Sequence, residues 1–178
     1  MSFKLRDYQQ DIVDRAVDIV DTHGFVYLAM EVRTGKTLTA LSIAERVSRK
    51  GNVLFVTKKK AISSIEGDMR MMCAEICLFT INYESLHKLE DIKWDTIILD
   101  EAHSMGAFPK PSKRAKQVSQ LLTKHKPNVV LLSGTPTPES YSQMYHQVYG
   151  IPGNPFGGFK NFYRFCDEYV DIKMRPIK

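Results

Sequence analysis

Two short apolar runs, Phe25–Ala29 and Thr96–Leu99, each stop at a segment dense in polar chemistry. The first gives way to Glu31-Val32-Arg33-Thr34-Gly35-Lys36-Thr37, the second to Asp100-Glu101-Ala102-His103. Runs this short suit strands buried on both faces. Residues 53–57, 76–81 and 129–132 read as three more strands. Between them lie stretches of helical periodicity. Ile12, Val13, Ala16, Val17 and Val20 mark a helix over 7–22, stopped by Gly24. Leu38, Leu41, Ile43, Ala44 and Val47 mark another over 37–50, ended by Gly51. Helices are also expected over 60–71, 83–89 and 112–124. Strands alternating with helices predict an α/β fold with a mostly parallel sheet covered on both faces. Ligands in such folds sit beyond the carboxyl ends of the strands. Both polar segments follow a strand, so both are expected on that one edge.

The chemistry of each segment fits a nucleoside triphosphate. A loop that turns backbone N–H groups inward at a helix N-terminus offsets phosphate charge. Gly35 permits close approach, Lys36 reaches the outer phosphates, and the Thr37 hydroxyl can ligate magnesium. Asp100 and Glu101, adjacent on a turn, can face different targets. Asp100 would hold Mg2+, and Glu101 would orient and polarise the attacking water. The segment Ser133-Gly134-Thr135-Pro136 ends the fifth strand on the same edge. Its hydroxyls suit hydrogen bonding or coupling; Pro136 blocks strand extension.

Length and charge bound the alternatives. The chain has 178 residues, 43% of them hydrophobic, enough for one domain with a core. No apolar stretch approaches the roughly 20 residues that span a bilayer. The N-terminus lacks a signal-peptide core. A cytoplasmic protein with no membrane partner is expected. The net charge of +5 is gathered into Lys58-Lys59-Lys60, into Lys110, Lys113, Arg114 and Lys116, and into Lys173, Arg175 and Lys178. These clusters favour a polyanionic partner. Cys73, Cys77 and Cys166 have no further ligands at zinc spacing and read as reduced, partly buried thiols. After Pro138 two aromatic stripes, one of Tyr141, Met144, Tyr145 and Val148, the other of Phe159, Phe162, Phe165, Cys166 and Tyr169, are expected to form a core.

Taken in order, these segments resemble the first RecA-like lobe of superfamily 2 helicases and translocases, P-loop NTPases, and within them the Swi/Snf-like branch in bacteria and phages. Leu5-Arg6-Asp7-Tyr8-Gln9 is similar to the Q motif, which implies that Gln9 reads adenine. Residues 31–37 match the phosphate loop, so Arg33, Thr34, Gly35, Lys36 and Thr37 are implied to bind ATP. Residues 53–57 resemble motif Ia, although Lys58 stands where Pro is usual. Ile81-Asn82-Tyr83-Glu84-Ser85-Leu86 resembles a segment on the nucleic-acid side. Asp100-Glu101-Ala102-His103 is the DEAH form of motif II, and residues 132–136 resemble motif III.

The resemblance implies catalysis by Lys36, Asp100 and Glu101, and coupling by His103, Ser133 and Thr135. It implies magnesium on Thr37 and Asp100. Met30 and Arg33 depart from the usual loop glycines. The expected function is the ATP-binding lobe of a DNA-dependent ATPase over 1–178, with 138–178 a helical extension. DNA is favoured over RNA, with phosphate contacts through Lys58 to Lys60 and the Asn82 turn. The second RecA-like lobe, which supplies arginine fingers in the family, is not in the sequence and is expected in cis or in trans. An RNA helicase lobe, the motor of a restriction or nuclease system, and a non-catalytic nucleotide- or DNA-binding regulator are the alternatives.

Overall fold

The structure, a computed structural model, describes residues 3–171. Lys173, Arg175 and Lys178 lie outside the described residues. Five strands form one sheet: β1 (Phe25–Ala29), β2 (Asn52–Thr57), β3 (Cys77–Asn82), β4 (Thr96–Leu99) and β5 (Asn128–Ser133). Their spatial order is β1-β5-β4-β2-β3, and every pairing is parallel. The helices are α1 (Asp7–His23), α2 (Lys36–Ser48), α3 (Ile62–Met72), α4 (Lys113–His125), α5 (Gln143–Gln147) and α6 (Phe162–Tyr169).

Alternation along each strand splits the interior into two layers. Val26, Leu28, Val53, Phe55, Ile98, Val130 and Leu132 pack against the apolar faces of α1 and α2 and against Ile65 of α3. Leu54, Val56, Ile97, Leu99, Val129 and Leu131 pack on the other face against Ala115, Val118 and Leu122 of α4. Nearly every residue of β2, β4 and β5 is thereby buried. That is why these strands read as unbroken apolar runs rather than alternating ones.

The helical periodicity places α1, α2 and α4 within two residues of the expected ends. Residues 60–71 differ: the run Lys59–Ala61 forms a 3-10 turn, and α3 starts at Ile62. The short helix expected over 83–89 is a 3-10 turn at Tyr83–Lys88.

The C-terminal part is less regular than its stripes suggest. Tyr141 is exposed and precedes α5, which spans five residues. Polar Gln143, His146 and Gln147 are buried there instead. Each is paired: Glu139 N–H donates to Gln143 Oε1 at 3.1 Å, Tyr27 donates to Gln147 Oε1 at 2.6 Å, Gln147 Nε2 donates to the Pro136 carbonyl at 2.6 Å, and His146 Nδ1 meets the Ala107 carbonyl at 2.8 Å. Tyr145, Phe162, Phe165 and Cys166 do form a small core. Of the thiols only Cys166 is buried; Cys73 and Cys77 are exposed, because α3 ends at Cys73 and β3, which Cys77 opens, lies at the sheet edge.

Candidate nucleotide site at the carboxyl edge

The strand order brings the loops after β1, β5, β4, β2 and β3 side by side along one rim. Ala29 is in register with Ser133, and Met30 N–H donates to the Ser133 carbonyl at 3.1 Å. The loop after β1 therefore lies against Gly134. A Cβ on Gly134 would sit 3.5 Å from both Lys36 Nζ and the Met30 carbonyl, so a larger side chain would crowd the lysine.

Residues 30–35 form an open loop that feeds directly into α2. Gly35 caps α2 at φ +79°, a conformation that favours glycine. A Cβ there would also meet Gln9 Nε2 at 2.3 Å. No side chain caps α2, so its first N–H groups are free to face an anion. Lys36 folds back, donating to the carbonyls of Met30 at 3.1 Å and Glu31 at 3.3 Å. Arg33 takes φ +65°, a left-handed backbone that costs a non-glycine residue about 1 kcal/mol.

Helix α1 buttresses the loop. Tyr8 OH donates to the Thr34 carbonyl at 2.8 Å. Gln9 is buried and engaged at both ends of its amide. Its Oε1 accepts from Arg6 N–H at 3.0 Å, and its Nε2 donates to the Gly35 carbonyl at 3.3 Å and Thr39 Oγ1 at 3.4 Å. Gln9 thus ties α1 to the start of α2.

The acidic pair follows β4 on a turn. Asp100 N–H continues the sheet ladder to the Val56 carbonyl at 2.9 Å. Its carboxylate accepts from Thr57 Oγ1 at 2.7 Å and from Glu101 N–H at 2.9 Å. Burial, and then the neighbouring Glu101 charge, push the Asp100 carboxyl above its ordinary range; Thr57 and the Lys36 ammonium pull it back. Tyr83 OH, itself buried, donates to the Asp100 carbonyl at 2.6 Å.

Glu101 turns its backbone to φ +51° and its carboxylate toward Lys58 and His103. Lys58 Nζ lies 3.3 Å from its Oε1, and His103 Nδ1 lies 3.4 Å from its Oε2. His103 Nδ1 is also 2.9 Å from Ser133 Oγ, which accepts the Thr135 N–H at 3.1 Å. The fifth strand's turn is thereby wired to the acidic pair.

Thr57, Tyr8 and the Tyr83 hydroxyl are site residues that the sequence patterns did not single out. A lone hydroxyl closing an otherwise apolar strand was the available signal for Thr57.

The pKa direction of Asp100 gives a stability prediction. A carboxyl whose folded-state pKa is raised weakens the fold in full above that pKa, and the penalty disappears below the unfolded value. Asp100→Asn is therefore expected to stabilise the chain at neutral pH, read as a higher thermal midpoint. The advantage should vanish near pH 3. Melting scans at both pH values, without divalent ions, check it; an Asn variant less stable at pH 7 contradicts the assignment of burial as the cause.

The profile of the SNF2-related domain matches residues 36–171. The chain belongs to the SNF2-related domain family. Its fold is that of the RecA-like lobe, as the five-stranded parallel sheet indicates. The SWI2/SNF2 ATPase core of Sulfolobus solfataricus, solved in complex with double-stranded DNA, superposes with a TM-score of 0.74 at 16% identity. That superposition covers 96% of this chain and 40% of the other. The ATP-dependent Type ISP restriction-modification enzyme LlaBIII bound to DNA matches with a TM-score of 0.53 at 21% identity, over 76% of this chain and 13% of that one. In sequence, the RNA polymerase-associated protein RapA of Yersinia pestis is 40% identical over 96 residues, 54% of this chain. That 96-residue match spans only 9% of RapA's length.

Among the described residues of this domain, no group of three or more His, Cys, Asp or Glu could hold a metal alone. One carboxylate and a hydroxyl, completed by substrate phosphates and water, is what magnesium usually takes. The oxygen donors of Asp100 and Thr37 fit that hard cation. No helix among the described residues is long and apolar enough to cross a membrane.

Proposed function

We propose that residues 1–178 form the ATP-binding lobe of a DNA-dependent ATPase, a helicase or double-stranded DNA translocase, with 138–178 as its helical extension. The observation that carries this reading is the placement of Lys36 against Gly134, after β5, with Asp100 at the end of the adjacent strand β4 on the same rim. The triphosphate lies at the uncapped N-terminus of α2, against its N–H groups and Lys36. Thr37 and Asp100 would hold magnesium, which when bound offsets phosphate charge. Glu101 accepts a proton as a water oxygen bonds to the terminal phosphorus and the bond to the bridging oxygen breaks. His103, Ser133 and Thr135 link that event to the β5 turn. Gln9 and Tyr8 hold the loop's shape, and contact of Gln9 with adenine requires one of its present bonds to be exchanged. Arg33 and Thr34 form the outer wall of the phosphate loop.

A second RecA-like lobe, in the same polypeptide or another, completes the site. The fold match supports this, since the SWI2/SNF2 core is more than twice as long as this chain. The cytoplasm is the proposed location. DNA is preferred over RNA because both solved neighbours named above were solved with DNA.

The test is ATP turnover of the completed protein with duplex DNA or duplex RNA across a salt series. Stimulation by DNA that falls steeply between 50 and 200 mM salt, roughly as expected for several phosphate contacts, supports the reading. Equal stimulation by RNA favours the RNA helicase alternative, and no stimulation by either favours a nucleotide-binding regulator.

A further inference from the structure

Two consecutive residues at the end of β2 grip two consecutive acids after β4. Thr57 takes Asp100 at 2.7 Å and Lys58 takes Glu101 at 3.3 Å. The two contacts differ in character. Thr57 is fully buried, whereas the Lys58 side chain is 52% exposed and that of Glu101 35%. The first is a fixed structural bond. The second is a solvent-facing ion pair, weak and readily exchanged.

Lys58 also opens the Lys58-Lys59-Lys60 run on the same rim. Lys59 and Lys60 are exposed and make no ion pair among the described residues. A nucleic-acid backbone reaching this run meets three ammonium groups, one of which is occupied by Glu101. The other Glu101 oxygen faces His103 at 3.4 Å. In this arrangement one carboxylate oxygen faces Lys58 beside the end of β2 and the other faces His103.

We propose that Lys58 is a positioning residue that holds Glu101 in a resting orientation until a DNA phosphate takes its ammonium. Duplex DNA is the effector. Its phosphodiester competes with the Glu101 carboxylate for the same cation, and the freed carboxylate turns to the attacking water. Binding of DNA and activation of hydrolysis are then one exchange of ion partners. The weakness of the pair suits this role, because a buried pair would not release on contact with a solvated phosphate. This inference rests on the assignment of Glu101 as the proton acceptor.

The experiment measures ATP turnover of the intact protein carrying this lobe, without DNA and with saturating duplex DNA, for wild type, Lys58→Met, Lys58→Arg, Glu101→Gln and the Lys58→Met/Glu101→Gln pair. Lys58→Met is expected to raise DNA-free turnover about 2- to 5-fold, or about 0.4–1 kcal/mol. It should cut the stimulation ratio by a similar factor. Lys58→Arg, which restores a cation at similar reach, should restore the low DNA-free rate. In the Glu101→Gln background, Lys58→Met should change nothing, because the gain runs through that carboxylate. If Lys58→Met only weakens DNA binding, with DNA-free turnover unchanged or lower, the switch is overturned and Lys58 is a phosphate contact alone. If Glu101→Gln itself turns over like wild type, the underlying catalytic assignment fails instead.

Discussion

Replacing Glu101 by Gln is expected to lower ATP turnover by about 10²–10⁴-fold while leaving nucleotide affinity within a few-fold of wild type. Gln keeps the shape and the hydrogen-bonding reach of Glu but cannot accept a proton from water. The side chain is partly exposed and stands on a left-handed turn, so its replacement removes little packing. The first-turn N–H groups of α2 and Lys36, which would carry affinity, are untouched. Single-turnover hydrolysis and equilibrium binding of a fluorescent ATP analogue separate the two quantities. A loss of affinity matching the loss of turnover would mean that Glu101 serves binding or folding rather than chemistry.

The second large effect concerns what lies across the rim. In this lobe the outer phosphates would meet Lys36, which lies beside Gly134 on the rim. An arginine supplied from a facing lobe neutralises charge that develops as the terminal phosphoryl leaves, and can be worth about 10³–10⁵ in rate. Adding a second RecA-like lobe, linked or free, is therefore expected to raise turnover at least about tenfold, with a further gain on duplex DNA. Even the lower figure corresponds to 1.36 kcal/mol of barrier, comparable with one charge-assisted contact. Turnover by residues 1–178 alone, compared with the two-lobed protein under one buffer, checks it. Equal rates would show that the rim is already complete, and the motor reading would lose its main requirement.

The parts of this architecture set by local pattern were readable in advance. Strand β4 is apolar because neighbours cover both faces, whereas the edge strand β1 fully buries only Val26 and Leu28; each ends where a polar loop begins. The polar loop between β1 and α2 and the acidic turn after β4 fall where that pattern puts them. Other features depend on chain separation that periodicity does not encode. Thr57 and Lys58 reach Asp100 and Glu101 across 43 positions because β4 lies beside β2, an adjacency set by sheet order. Lys58 reads from sequence as a phosphate contact within the Lys58 to Lys60 run, and its pairing with Glu101 is hidden because the partner is not local. Gln9 reads from resemblance as an adenine contact, whereas the fold gives both ends of its amide to Arg6, Gly35 and Thr39. In the C-terminal part, Tyr141 sits on an aromatic stripe yet faces solvent, and the interior takes Gln143, His146 and Gln147 because each finds a hydrogen-bond partner there. Burial of polar groups with partners carries no apolar signature in the sequence.

The most direct measurement is a crystal structure of the Glu101→Gln protein grown with ATP and magnesium. The triphosphate should lie across the N-terminus of α2, its outer phosphates on Lys36, with the metal on Thr37 and Asp100. Density for the nucleotide elsewhere, or a metal bound without Asp100, would contradict the site.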